Sequence, residues 1–202
     1  MRIRLAICCL VLACAAGSAR SARASFHLWK ITDVFSDSSG KMQFIQLGNA
    51  GENGENFLGG HAISSNEQSF TFPTDLPSDE TKDKFVLLAT SDFAKLSSAP
   101  KPDYVLAANF FDTSADSIDY AGVNTFSFTS GQLPTDGVMA LLADKTTATN
   151  SPTNFAGVNG SVMAGGGGNA IPLPPAALAA AFSLVLAASG RLLWVRRITR
   201  CA

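Results

Sequence analysis

The chain has 202 residues and a formal net charge of −1, from 15 Lys and Arg against 16 Asp and Glu. That balance hides a segregation. All the acids lie between Asp33 and Asp144, the seven lysines between Lys30 and Lys145, and all eight arginines near the two ends, from Arg2 to Arg23 and from Arg191 to Arg200. The interior therefore carries −9 between basic ends, a pattern of an exported, processed chain. It excludes nucleic-acid binding, which needs a basic face to displace counterions from phosphates. Cysteine is segregated too: Cys8, Cys9, Cys14 and Cys201 leave the body with none. The body therefore offers no disulfide, no Cys zinc site and no thiol nucleophile, and its core alone must supply stability.

The first element is an address. A short basic start (Arg2, Arg4) precedes an apolar stretch over 5–16, which is too short to span a bilayer. Ala22-Arg23-Ala24 then forms a small-x-small cleavage pattern before Ser25. The reading is a secretory signal peptide over 1–24, cut by signal peptidase after Ala24. The alternative is lipoprotein processing at Cys14 after Val11-Leu12-Ala13, where Leu12 is a poor fit and the charged stretch to Arg23 would be retained.

The body, 25–155, reads as short strands separated by Gly, Pro, Asn, Asp and Ser clusters. Residues 26–34 alternate moderately, and the turn Asp37-Ser38-Ser39-Gly40 follows. In 42–47, Met42, Phe44 and Gln46 share one face, Ile45 and Leu47 the other. A polar loop over 49–56 leads to short strands at 57–58, 62–63 and 70–72, with Phe70 and Phe72 on one face. Residues 85–90 are continuously apolar, as in a central strand. Strands at 103–111, 117–121, 125–128 and 138–143 complete eight or nine. A single helical turn is expected over 91–97, capped by Ser91 and carrying Phe93 and Leu96. Many short strands with turn-rich joints predict an all-β fold, one β-sandwich domain.

The tail holds two further parts. Residues 156–170, with Gly157, Gly160 and four glycines at 165–168, read as a flexible tether. No Lys follows that run, which excludes a phosphate loop. Ile171-Pro172-Leu173-Pro174-Pro175 precedes an apolar run over 176–190, then Arg191, Leu192 to Val195, and Arg196-Arg197. A helix over about 176–195 rises about 30 Å, the thickness of the hydrocarbon core. Arg191 snorkels near its end, Trp194 sits at the interface, and Arg196-Arg197 form a positive-inside stop. The acidic body is then expected to face outward.

The Pro-Leu-Pro box, small apolar helix and terminal Arg cluster over 171–202 resemble the PEP-CTERM family of bacterial sorting signals, in its VPLPA-type form. The resemblance covers about 30 residues. It implies that Pro172, Leu173 and Pro174, with Arg196 and Arg197, are read by an exosortase-type membrane protease in a Gram-negative cell that makes exopolysaccharide. The body would then pass from an inner-membrane precursor to the cell surface or exterior. The chain departs from the family in lacking the Glu of a Pro-Glu-Pro box. Within the body, Trp29-Lys30-Ile31, Gln43 to Leu47, Leu58-x-Gly60, Phe70-x-Phe72-Pro73 and Phe85 to Ala89 are similar to a lamin-tail domain. That resemblance implies an immunoglobulin-like sandwich serving as an interaction module, with no catalytic residues. It departs at Gln46, where the family often has Glu.

Candidate chemistry is sparse. His27 and His61 have no nucleophile elbow nearby, and neither His-x-His nor His-x-x-x-His occurs. The acids sit in turn-like segments, as solvated charges do. Asp112, Ser114, Asp116 and Asp119 place oxygens at spacings that suit Ca²⁺, although Ser117 and Val123 stand where an EF-hand needs Gly and Glu. No motif calls for a cofactor. The body holds thirteen Phe against Tyr104, Tyr120 and Trp29, so an exposed Trp or Tyr sugar platform is not expected. The expectation is an exported non-enzymatic surface or matrix protein whose partner is an exopolysaccharide or another surface protein. The alternatives are a Ca²⁺-dependent adhesion module and a secreted hydrolase using paired carboxylates.

Overall fold

The computed structural model describes residues 25–164. The proposed signal peptide with Ala22 and Ala24, the 165–170 part of the tether, and the sorting signal with its helix lie outside the described residues. Among the described residues no helix is long and apolar enough to cross a membrane.

The described chain is nearly all β. Ten strands run in the order β1 (Lys30–Ser36), β2 (Gln43–Asn49), β3 (Ala62–Ser64), β4 (Ser69–Thr71), β5 (Lys84–Thr90), β6 (Tyr104–Leu106), β7 (Asp116–Tyr120), β8 (Asn124–Phe128), β9 (Met139–Leu142) and β10 (Thr147–Thr149). They build two sheets. One has six strands in the order β10-β9-β1-β2-β5-β6, the other four in the order β4-β3-β7-β8. Every pairing is antiparallel except β5 with β6. The β1–β2 turn is the one legible in the sequence. Asp37 Oδ1 accepts from the Met42 amide at 3.0 Å, and the Gly40 amide donates to the Asp37 carbonyl at 3.2 Å. Gly40 sits at φ +69°, which favours glycine.

Alternation of side chains assigns the two faces of the six-stranded sheet. Ile31, Val34, Ile45, Leu47, Val86 and Leu88 point inward and join one apolar cluster with Ile63, Ile118, Tyr120, Phe126 and Phe128 of the four-stranded sheet. Phe35, Phe44, Leu87 and Ala89 point outward into a second cluster with Phe93, Ala140 and Val162. From Val86 to Ala89 the strand is thus buried on both faces, which explains its apolar run. Polar tips in the main core are satisfied. Trp29 Nε1 donates to the Glu55 carbonyl at 2.6 Å, Tyr104 Oη to the Thr74 carbonyl and Tyr120 Oη to the Phe26 carbonyl.

Several local expectations are corrected. Residues 57–58 form no strand: the His61 amide donates to the Leu58 carbonyl in a turn, which buries Leu58 and leaves Phe57 40% exposed. The 103–111 segment keeps only β6, because Asn109 adopts φ 53° and turns the chain. The helical turn is a 3-10 turn, Phe93–Lys95, with no side-chain cap bond at its N-cap Asp92. The Phe93 amide instead donates to Thr90 Oγ1. Finally, residues 156–164, read as the first part of the tether, stay largely exposed but are anchored at Val162 and Ala164. Val162 is fully buried, its amide donates to Asn150 Oδ1, its carbonyl accepts from Asn150 Nδ2, and the Ala164 amide donates to the Gly137 carbonyl. This strap lies against the outward cluster, and a chain that buries an apolar side chain and satisfies its own backbone polar groups is fixed in place despite its glycines.

Candidate functional site

The sequence-predicted acidic cluster does not close into a shell. Asp116 and Asp119 lie three apart in β7, an odd spacing that sends them to opposite faces. Asp116 is buried, accepting from the amides of Asn66 and Ser117 through Oδ1 and of Asp112 through Oδ2. Asp119 accepts from the Gly122 amide and Thr125 Oγ1. Asp112 accepts from both the amide and hydroxyl of Ser114, and these bonds hold its carboxyl below the usual range. Asp112 and Asp119 thus serve their own turns, and Asp116 ties its segment to Asn66. Among the described residues no group of three or more His, Cys, Asp or Glu side chains is placed to hold a metal ion. Asp112 lines a cleft of about 550 Å³ with Ser39, Gly40, Gln68 and Asn109. Gln68 Nε2 already donates there to the carbonyls of Ala108 and Asn109.

The two histidines come together around Phe26. The His61 ring stacks on Phe26 at 3.4 Å between centroids, and the His27 ring lies 4.1 Å from it. His27 Nδ1 shares a hydrogen bond with Ser25 Oγ at 2.9 Å. No carboxylate bonds either ring among the described residues, so the orienting third member of a Ser-His-acid triad is missing.

The feature that sequence reasoning missed lies on the outward face of the six-stranded sheet. The β1–β2 register shifts between Ile31 and Asp33. Such a bulge turns an extra residue to one side, and here both Thr32 and Asp33 contact the outward face. Asp33 is 6% exposed. Its Oδ1 accepts from Thr32 Oγ1 at 2.7 Å and from Gln46 Nε2 at 3.0 Å. Gln46 Oε1 in turn accepts from the Thr153 amide at 2.6 Å, which ties this pair to the C-terminal strap. No positive charge among the described residues faces Asp33, so burial dominates over the two hydrogen bonds and pushes its carboxyl up to about 6.

Two concavities, each of about 470 Å³, share Thr32 as a lining residue. One is bounded by Leu28, Lys30, Gly48 and Phe85. Lys30, Gly48 and Phe85 are register neighbours across three strands, and the hollow exists because Gly48 has no side chain. A Cβ there would lie 2.7 Å from Thr32 Cγ2 and 3.3 Å from Phe85 Cε1. The other concavity is lined by Asp33, Gln46, Ala143, Asp144 and Ala148. Asp144 is exposed, and bonds from the hydroxyl and amide of Thr146 hold its carboxyl below the usual range. The one signal in the sequence was Asp33 itself, a carboxylate set between the core residues Ile31 and Val34. No family model matches the chain, and neither curated proteins nor solved structures give a significant match.

Proposed function

We propose that this is an exported, non-enzymatic surface or matrix protein. Its two sheets would form an immunoglobulin-like β-sandwich of the lamin-tail kind, which serves as a binding or structural module. The signal peptide delivers the chain across the inner membrane. The C-terminal helix holds it until an exosortase-type protease reads the Pro172-Leu173-Pro174 box and the Arg196-Arg197 stop. The observation that carries this reading is the segregation of the chain into an acidic, Cys-free, Arg-free body and two apolar ends that hold every Arg. Two features support it. Four of the five segments that resemble a lamin tail fall on or next to β1, β2, β4 and β5, with Phe72-Pro73 just after β4, while Leu58-x-Gly60 falls in a turn. The amide of Ser25 donates to the Gly54 carbonyl, so a chain that starts at Ser25 keeps the contacts described above.

The test is the intact mass of the native protein, taken separately from membranes and medium of the producing cells. A released form that starts at Ser25 and ends near residues 171–174 is expected. A single membrane form that retains Arg196 and Arg197 would refute sorting and leave a permanently anchored protein.

A second reading, a carboxylate-based hydrolase, is favoured by one observation. Asp33 and Asp144 line the same concavity, and their carboxyls are moved in opposite directions. Environments that split two carboxylates in this way separate an acid from a base. It predicts release of reducing ends from polysaccharide, abolished by Asp33→Asn. Polymer left intact by the wild-type chain removes it.

A further inference from the structure

We propose that the open hollows on the outward face of the six-stranded sheet, beside the part that the C-terminal strap covers, are the binding site for a single strand of neutral, hydroxyl-rich polysaccharide. The strand would be laid across β10, β9, β1, β2 and β5, over Thr32. This rests on the surface-protein reading and names its ligand and site.

The shape comes first. The two concavities share Thr32 as a lining residue, and end to end they reach from Ala148 on β10 to Phe85 on β5. Adjacent strands lie about 4.8 Å apart, so the trough runs about 20 Å across the sheet. Its floor is made by small side chains, Gly48, Ala140 and Ala148 among them. From β9 to β5 it crosses strands that have a partner on each side, so it offers no ladder there for an added peptide strand, and only its β10 end reaches a sheet edge. An occupant must therefore be held by side chains alone.

The lining then selects the chemistry. Asp33 is the buried polar group at the centre. Its Oδ1 is taken by Thr32 and Gln46, while Oδ2 has no hydrogen-bond partner among the described residues. That second oxygen is reached by solvent in the hollow, where it can accept from an occupant's hydroxyl in place of water. Asp144 and the Thr32 and Thr149 hydroxyls add further polar partners along the path. Between them lie apolar surfaces, Leu28 and the Phe85 ring at one end and Leu142 with Ala148 at the other. This alternation matches a sugar chain, which presents hydroxyls at its rim and C–H faces above and below. Trp29, Tyr104 and Tyr120 are buried, so enclosure in the trough takes the place of a stacking platform. Charge excludes the polyanions. Three carboxylates, Asp33, Asp83 and Asp144, outnumber Lys30 and Lys84 along the two hollows, in a body whose net charge is −9, and an acidic polymer would be repelled.

The experiment is native gel electrophoresis of the full chain, purified in a detergent without a sugar headgroup. The gels contain hydroxyethylcellulose, galactomannan or, as the acidic comparison, alginate. Retardation by at least one neutral polymer is expected, and none by alginate. Ala143→Trp obstructs the trough from an exposed position and should abolish retardation. Asp33→Asn exchanges an acceptor for a donor and should weaken it about tenfold, as loss of a hydrogen bond to a charged group does. Both variants should keep the wild-type circular dichroism and cooperative melting. Failure of both neutral polymers to retard the chain, retardation by alginate alone, or retardation indifferent to Ala143→Trp would each overturn the proposal. None of these outcomes bears on the mass of the processed native protein, so failure of the trough and failure of the surface reading are told apart.

Discussion

The buried carboxylate of Asp33 sets a measurable pH dependence. Its carboxyl titrates at about 6 in the folded chain against an ordinary value of 3.8, and the difference corresponds to about 3 kcal/mol. The sign follows from which state holds the proton more tightly. Between the two values the folded state binds it better, so this group's contribution to stability is complete below 3.8. It is lost as the pH rises through about 6. Asp33→Asn keeps an oxygen to accept from Thr32 Oγ1 and Gln46 Nε2, and it removes the buried charge. The variant is therefore expected to be more stable than the wild type by about 3 kcal/mol near pH 8 and to match it near pH 4. The wild type also carries Asp103, raised by burial, and Asp92, Asp112 and Asp144, lowered by their bonding partners. Those groups are common to both proteins, so the difference between the two pH profiles isolates Asp33. The assay is urea unfolding of each protein across that range. A difference that stays flat with pH, or an Asn variant that is less stable above pH 6, would refute the account of Asp33 as a charge held by geometry against its own desolvation.

Three further outcomes follow from the same structure. Gln46→Glu replaces the amide that donates to Asp33 with a second buried acid, and should destabilise by about 3 kcal/mol or more at neutral pH and by much less under acid conditions, read by the same unfolding assay. Asn150→Ala removes the side chain that bonds the Val138 carbonyl and both backbone groups of Val162. It should cost about 2–4 kcal/mol, and hydrogen exchange should rise first at the amides of Val162 and Ala164. Millimolar Ca²⁺ should leave the melting temperature unchanged, because the carboxylates of Asp112, Asp116 and Asp119 are each engaged by hydrogen bonds; a rise with calcium would restore the adhesion alternative.

Much of the strand layout was legible because period-two alternation is a local signal. Phe44 and Gln46 face outward and Ile45 and Leu47 inward, as their spacing predicts. Phe126 and Phe128 both reach the core from β8. The error at 57–58 has the same root. Phe57-Leu58 is apolar enough for a strand, but a two-residue run carries no alternation, and the neighbouring turn decides its conformation. β10 was overlooked because its Thr-Ala-Thr buries no large side chain and exists only as a partner for β9.

The candidate site was barely legible, and Asp33, Gln46 and Gly48 show why. Each is an ordinary residue in its own strand. The departure from the lamin-tail pattern at Gln46 gains its meaning from Asp33, thirteen positions earlier, and from Thr153, a hundred and seven positions later. A Glu there would place a second carboxylate against a buried one; the Gln amide donates to Asp33 and accepts from the strap.

The sequence by itself determined the all-β class and the inward and outward faces of β2. It also determined the segregation of charge and cysteine, because these properties depend on residue type and near-neighbour spacing. Only the tertiary structure decided that a bulge brings Thr32 and Asp33 together on one face and that residues 150–164 fold back over the outward face. It alone decided that Gly48 opens a hollow beside Phe85. Those outcomes depend on cross-strand register and on contacts between residues far apart in the chain, where the free energy of burial and hydrogen bonding is shared among partners that no local window contains.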